Sequence, residues 1–217
     1  MTLKTTLIPL CVFLLSGCLG GKNAQQRAAT LKRTFIPMAA HAQAVKPSPD
    51  FAPVKIRTFR VMPPFDGHDF LVRRAGGEFV TDYYNGWVAS PGDLIRVQAT
   101  RYLQDANVFT AVYDAGCGVR SPLGIEGIVE ELYLDYSGET PAAVISLRLL
   151  VMDERSPELN VLFSTTAQGR MDLSTSDKKN PADAFGRALT AALTQVTQAL
   201  TQADLPKTPE TLNKSHP

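Results

Sequence analysis

The chain has 217 residues, with 22 Lys and Arg against 21 Asp and Glu and a formal net charge of +1. That balance leaves no cationic surplus to track phosphates, so nucleic acid is not an expected partner. The length suits one domain with a real core once an N-terminal address segment is set aside.

Lys4 supplies a positive n-region, Leu7 to Leu15 an apolar h-region, and Leu15-Ser16-Gly17-Cys18 ends it with small residues and a cysteine. The order is that of a secretory signal peptide, and the apolar run is too short to span a bilayer. A cysteine at the cleavage position resembles the bacterial lipobox. That resemblance implies a mature protein beginning at Cys18, with diacylglycerol on the sulfur and an N-acyl chain beside it. One acyl chain holds a protein marginally, whereas several hold it durably. Residues 1–17 are therefore expected to be a lipoprotein signal peptide and residues 18–33 a lipidated flexible tether. The alternative is an ordinary cleaved signal with a chance cysteine.

Leu19 rather than an aspartate follows Cys18. By resemblance to the sorting rule for such lipoproteins, this favours the outer membrane, facing the periplasm. A Gram-positive surface lipoprotein also fits the lipobox. Loss of the signal removes Lys4 alone among the charges, leaving 21 of each sign. No polybasic cluster follows Cys18, so anchoring is expected to rest on lipid alone. Cys11 leaves with the signal and Cys18 is consumed by lipid, so Cys117 stands alone and no intramolecular disulfide is expected. It sits in the turn-like Ala115-Gly116-Cys117-Gly118, and no nearby histidine activates it.

Further along, Thr34-Phe35-Ile36-Pro37 reads as an edge strand ended by proline. Val54 to Val61 alternates except for a slip at Thr58-Phe59, which predicts a strand with a bulge. Phe70–Arg74 and Glu78–Thr81 flank Ala75-Gly76-Gly77 as a hairpin, followed by Tyr83, Tyr84 and Trp87. Ser90-Pro91-Gly92-Asp93 opens a helix to about Asn107, with Ser90 as cap and Asp93 completing an approximate capping box. Its buried face is either Leu94, Val97 and the stem of Arg101, or Ile95, Tyr102 and Leu103. A β-type run from Val108 to Tyr113 follows.

Leu123–Tyr136, Ala142–Met152 and Leu159–Met171 read as long strands with short turns, an antiparallel meander. Asn180-Pro181 opens a second helix whose Phe185, Leu189, Leu193, Val196 and Leu200 form one apolar stripe ended by Pro206. The expected fold is α+β: an antiparallel sheet with two main helices on one face, a single domain over residues 34–205, and a disordered tail over 206–217.

Chemistry is sparse in this pattern. His41 falls in the tether, His216 in the tail and His68 in a loop beside Asp66 and Asp69, where no second histidine or cysteine completes a metal site. Glu126, Glu130, Glu131 and Asp135 offer carboxylates for glycoside chemistry. Strand alternation, however, puts the first two on one face and the last two on the other, as solvation of a half-exposed sheet would. No nucleophile elbow, P-loop or dinucleotide fingerprint is present. Neither a catalytic nor a metal site is expected.

Phe70-Leu71-Val72-Arg73-Arg74, then Tyr83-Tyr84-Asn85-Gly86-Trp87-Val88-Ala89-Ser90-Pro91, then Leu94 to Phe109, resemble the ABC-type transport auxiliary lipoprotein family. Arg73 or Arg74 matches that family's arginine, Trp87 its tryptophan, Pro91 its proline, and Leu103 and Phe109 its helix end and next strand. Thr34-Phe35-Ile36-Pro37 is similar to its short N-terminal strand, and the likeness covers about residues 31–204. Gly86 departs from it, since many members carry arginine before the tryptophan.

The resemblance implies a non-enzymatic auxiliary component of a mammalian-cell-entry (MCE) type ABC transport system, docked at the outer membrane for intermembrane lipid transport. Its partner would be an MCE-domain protein, and some relatives form rings, which implies a homo-oligomer. No cofactor is implied beyond the diacylglycerol and N-acyl chain on Cys18. Arg73, Arg74, Tyr83, Tyr84 and Trp87 become structural or partner-contact candidates, with Trp87 expected to close the core ahead of the first helix. Two other readings compete: a standalone envelope lipid- or small-ligand-binding lipoprotein, and an envelope hydrolase using the acidic strand.

Overall fold

The computed structural model describes residues 31–46, 48–177 and 179–207. The signal peptide, Cys18, most of the expected tether and residues 208–217 lie outside the described residues. In chain order the elements are β1 (Arg33–Phe35), β2 (Val54–Val61), β3 (Asp69–Arg73), β4 (Phe79–Trp87), α1 (Pro91–Ala106), β5 (Val112–Tyr113), β6 (Leu123–Asp135), β7 (Ala142–Asp153), β8 (Val161–Asp172) and α2 (Pro181–Thr201). They form an open eight-stranded sheet with two helices, the expected α+β class.

The pairing is mixed rather than wholly antiparallel. β6, β7 and β8 run as the expected antiparallel meander, and β3 and β4 form the expected hairpin. Its turn uses Gly76 and Gly77 at φ of 81° and 84°, a region that side-chain-bearing residues avoid. The correction concerns β2, which pairs parallel with both β5 and β6, while β3 joins the far end of β6 in parallel and β1 joins β4 in parallel. Between β2 and β6 the chain crosses one face of the sheet through α1. A return through such a crossover runs parallel, which a short turn cannot achieve.

Both helices pack on the sheet face that carries Ala143, Ile145, Leu147, Leu149 and Val151, α2 over β7 and β8 and α1 over β2. The α2 stripe from Phe185 to Leu200 is fully buried, as its spacing predicts. α1 buries Ile95, Ala99, Tyr102, Leu103 and Ala106, the second of its two candidate faces, and leaves Val97 exposed. Tyr102 Oη and Thr194 Oγ1, 2.8 Å apart, tie α1 to α2. Neither helix carries the expected side-chain cap: Ser90 serves through its carbonyl, which accepts the Leu94 N–H at 3.1 Å. Beyond α2, Leu205 is buried and Pro206 accepts the Ala52 N–H at 2.9 Å, so the chain stays packed through Lys207.

Candidate functional site

The residues singled out by the family pattern separate into interior and surface. Trp87, 3% exposed, meets Phe70 at a ring-centroid distance of 4.3 Å and Phe185 at 5.0 Å, and Phe35 stacks on Phe70 from β1 at 5.8 Å. β1 and β4 are in register at Phe35 and Trp87, so short β1 acts as a clasp over this aromatic cluster. Trp87 is a core residue.

Arg73 and Arg74, interchangeable in the sequence pattern, differ in place. Arg73 lies opposite Asp135 of β6, and its Nη1 donates to Tyr133 Oη at 3.3 Å. Tyr133 is covered by Phe65 and Phe79, with centroids at 5.8 and 5.3 Å, an aromatic group that sequence reading missed. Phe65 lies in a turn-rich loop, and nothing local in the sequence joins it to Tyr133. Arg74 closes the hairpin turn through its backbone, its N–H meeting the Glu78 carbonyl at 2.8 Å.

Tyr83 and Tyr84 both project from the surface, at 75% and 58% exposure. Ordinary strand alternation would hide one of them. The β3–β4 ladder jumps from Phe70–Asp82 to Asp69–Gly86, leaving residues 83–85 without counterparts on β3. The Asp82 carboxylate holds the excursion, accepting the Tyr84 N–H at 2.9 Å and Asn85 Nδ2 at 2.6 Å, while Arg33 Nη2 donates to Asn85 Oδ1 at 2.7 Å. The strand resumes at Gly86, where any Cβ would lie 2.3 Å from the His68 carbonyl oxygen. A side chain at this position does not fit this backbone.

The acidic residues of β6 occupy one face of the sheet, not two. Glu126, Glu131 and Asp135 stand opposite Leu150, Ser146 and Ala142, all on the face of β7 turned away from the helices. Glu130 is the extra residue of a bulge between Val129 and Glu131, which resets the alternation. Each carboxylate has a partner. Arg57 Nε lies 3.6 Å from Glu126, Arg148 pairs with Glu130, Gln168 Nε2 donates to Glu131 at 2.9 Å, and Arg170 Nη1 reaches Asp135 at 2.7 Å. Burial raises the Asp135 pKa, but hydrogen bonds from Ser137 and Arg170 outweigh it and bring the carboxyl down to about 2. A second such group, missed in sequence, is Asp177. It is 1% exposed, takes hydrogen bonds from Arg187 and Ser174, and is likewise held at about 2, chiefly by Arg187.

A cleft of about 300 Å³ is lined by Lys55, Ile56, Arg57, Thr58, Ala115 and Glu154. Its charged lining suits water or a polar group better than an acyl chain. Cys117 stands in the adjoining turn, half-buried, with its carbonyl accepting from Lys55 Nζ. His41, expected in the tether, instead pairs with Asp105 of α1, Nδ1 to Oδ2 at 2.7 Å. His68 contributes its carbonyl, which accepts the Trp87 N–H at 2.7 Å.

No family model matches the chain. No curated protein matches it in sequence. Among solved structures it is similar to a Xanthomonas campestris protein of the DUF330 family, at 23% identity and TM-score 0.65, over 77% of this chain and 95% of that one. It is also similar to a hypothetical protein of Chlamydia trachomatis, at 8% identity and TM-score 0.51, over 70% of this chain and 97% of that one. At these identities what is shared is the fold.

Proposed function

We propose that this chain is a lipid-anchored envelope protein, attached through Cys18 at the outer membrane, that docks the MCE-domain component of an ABC lipid transport system. In this reading it is not an enzyme, and it works through what it holds. The observation that carries the reading is the outer face of the sheet. There Glu126, Glu130 and Asp135 are each paired with an arginine and Glu131 accepts a hydrogen bond from Gln168, which favours a contact surface over an acid–base pair. Support also comes from the lipobox at Cys18 and from the resemblance carried by Arg73, Trp87 and Pro91. Self-association belongs to the same proposal, and light scattering of the detergent-purified protein measures it.

The test is affinity capture of the full lipidated protein from detergent-solubilised envelopes. Co-purification of an MCE-domain protein is the expected result. Repeated recovery of only peptidoglycan-linked or lipopolysaccharide-assembly proteins would overturn the reading.

A further inference from the structure

The larger group of exposed apolar side chains lies at the β1–β4 edge of this sheet, and a smaller one, Leu159, Val161 and Leu162, at the start of β8. Of the fifteen large apolar residues exposed among the described residues, six (Ile36, Met38, Phe79, Tyr83, Tyr84 and Val88) fall in two short segments. The segments are joined by the parallel β1–β4 pairing, and the Val88 N–H donates to the Phe35 carbonyl at 3.1 Å. β1 covers β4 only at Asn85–Trp87, so Tyr83 and Tyr84 stand beyond the last paired residue. A monomeric soluble surface scatters its apolar residues singly, and a grouped set marks a contact.

The position of this edge in the chain indicates what it meets. The compact unit begins at Lys32, next to β1, and only residues 19–31 separate it from Cys18. Thirteen residues span at most about 45 Å fully extended, and a chain of that length averages about 20 Å end to end. The segment from Cys18 therefore joins the domain at β1, on the β1–β4 edge. Residues 19–33 carry Lys22, Arg27, Lys32 and Arg33 and no acidic residue; Lys32 is paired with Asp69 and Arg33 bonded to Asn85, and the sign of the segment suits phosphate headgroups. Tyrosine suits the same boundary, with an apolar ring for the acyl region and a hydroxyl for the headgroups.

We infer that the β1–β4 edge rests on the bilayer that anchors Cys18, with Tyr83 and Tyr84 at headgroup level. The inference rests on the lipoprotein reading, and it adds a protein contact to the lipid anchor. Contact along this edge fixes the orientation of the domain. β8, at the opposite side of the sheet from β1, then faces away from the membrane and is free to meet a partner.

The test uses lipidated full-length protein with Cys117→Ser, reconstituted in phosphatidylethanolamine/phosphatidylglycerol vesicles and nitroxide-labelled at Tyr83→Cys or, as control on β8, at Ser164→Cys. Both positions are exposed, so both variants keep the core. The expected result is a several-fold higher ratio of oxygen to aqueous nickel-chelate accessibility at 83 than at 164. Equal ratios would overturn the inference. So would a label at 83 that becomes shielded only when a protein partner is added, since that would make the edge a protein interface. Palmitate incorporation is read on the same samples: its absence sinks the anchor reading itself, while its presence with equal ratios sinks only the bilayer contact.

Discussion

Trp87 and Phe70 lie with ring centroids 4.3 Å apart and planes tilted by 54°, and Phe185 of α2 closes on both. The last residue of β4 thereby joins the hairpin to the second helix, nearly a hundred residues later in the chain. Cutting Trp87 to alanine removes this junction at a site with no solvent to refill it. Trp87→Ala is expected to lose about 3–5 kcal/mol. Tyr83→Ala, on an exposed excursion of the same strand, should stay within about 0.5 kcal/mol. Urea melts of the two variants check the contrast, and an unchanged midpoint for Trp87→Ala would contradict the core placement.

α2 approaches β8 so closely that a Cβ on Gly169 would lie 1.8 Å from the Ala188 carbonyl oxygen. A backbone atom cannot swing aside as a side-chain tip can. Gly169→Ala must push α2 off the sheet, at an expected cost of about 1–3 kcal/mol. Gly138, with nothing within 4 Å of its added Cβ, is the matched control. Thermal melts should show a clear fall for the first variant and little for the second.

These contacts mark where local sequence signals end. The long strands, the hairpin and the α2 stripe were legible because their turns and apolar spacing are local. Pairing of β2 with β6 was not, since Ile56 meets Ile125 across the whole β3–β4 hairpin, α1 and β5, and no short turn announces it. The bulge at Glu130 was also hidden. Two adjacent glutamates read as ordinary alternation, yet the extra residue turns Glu131 and Asp135 onto the face of Glu126. Trp87 was legible as a core residue because a large aromatic preceded a helix start. Exposure of both Tyr83 and Tyr84 was not, because it depends on the ladder jump against β3.

Acid should loosen the fold through Asp135 and Asp177. Both carboxyls are held at about 2 in the folded chain, against about 3.9 when unfolded. Between those values the unfolded chain binds more protons, so stability is complete above about pH 4 and falls as the pH drops towards 2. Asp177→Asn leaves Arg187 without its carboxylate and should lower stability at neutral pH. It should also flatten the acid limb of a stability-versus-pH curve measured by urea melts. An acid limb as steep as that of the wild type would show that Asp177 is not one of the responsible groups.

Cys18 decides whether the chain is anchored at all. Serine in its place offers no thioether, so no diacylglycerol is attached. Each buried methylene of an acyl chain contributes about 0.8 kcal/mol, and losing several chains removes far more than a tyrosine edge and four scattered cations restore. Cys18→Ser is therefore expected to lose palmitate labelling and to leave the membrane fraction, apart from a weak, salt-sensitive remainder. A variant that still sediments with membranes at high salt and still labels would refute the lipobox reading. Density-gradient fractionation of the wild type tests the address given by Leu19 separately: sorting entirely with the inner membrane would remove the outer-membrane assignment and leave lipidation standing.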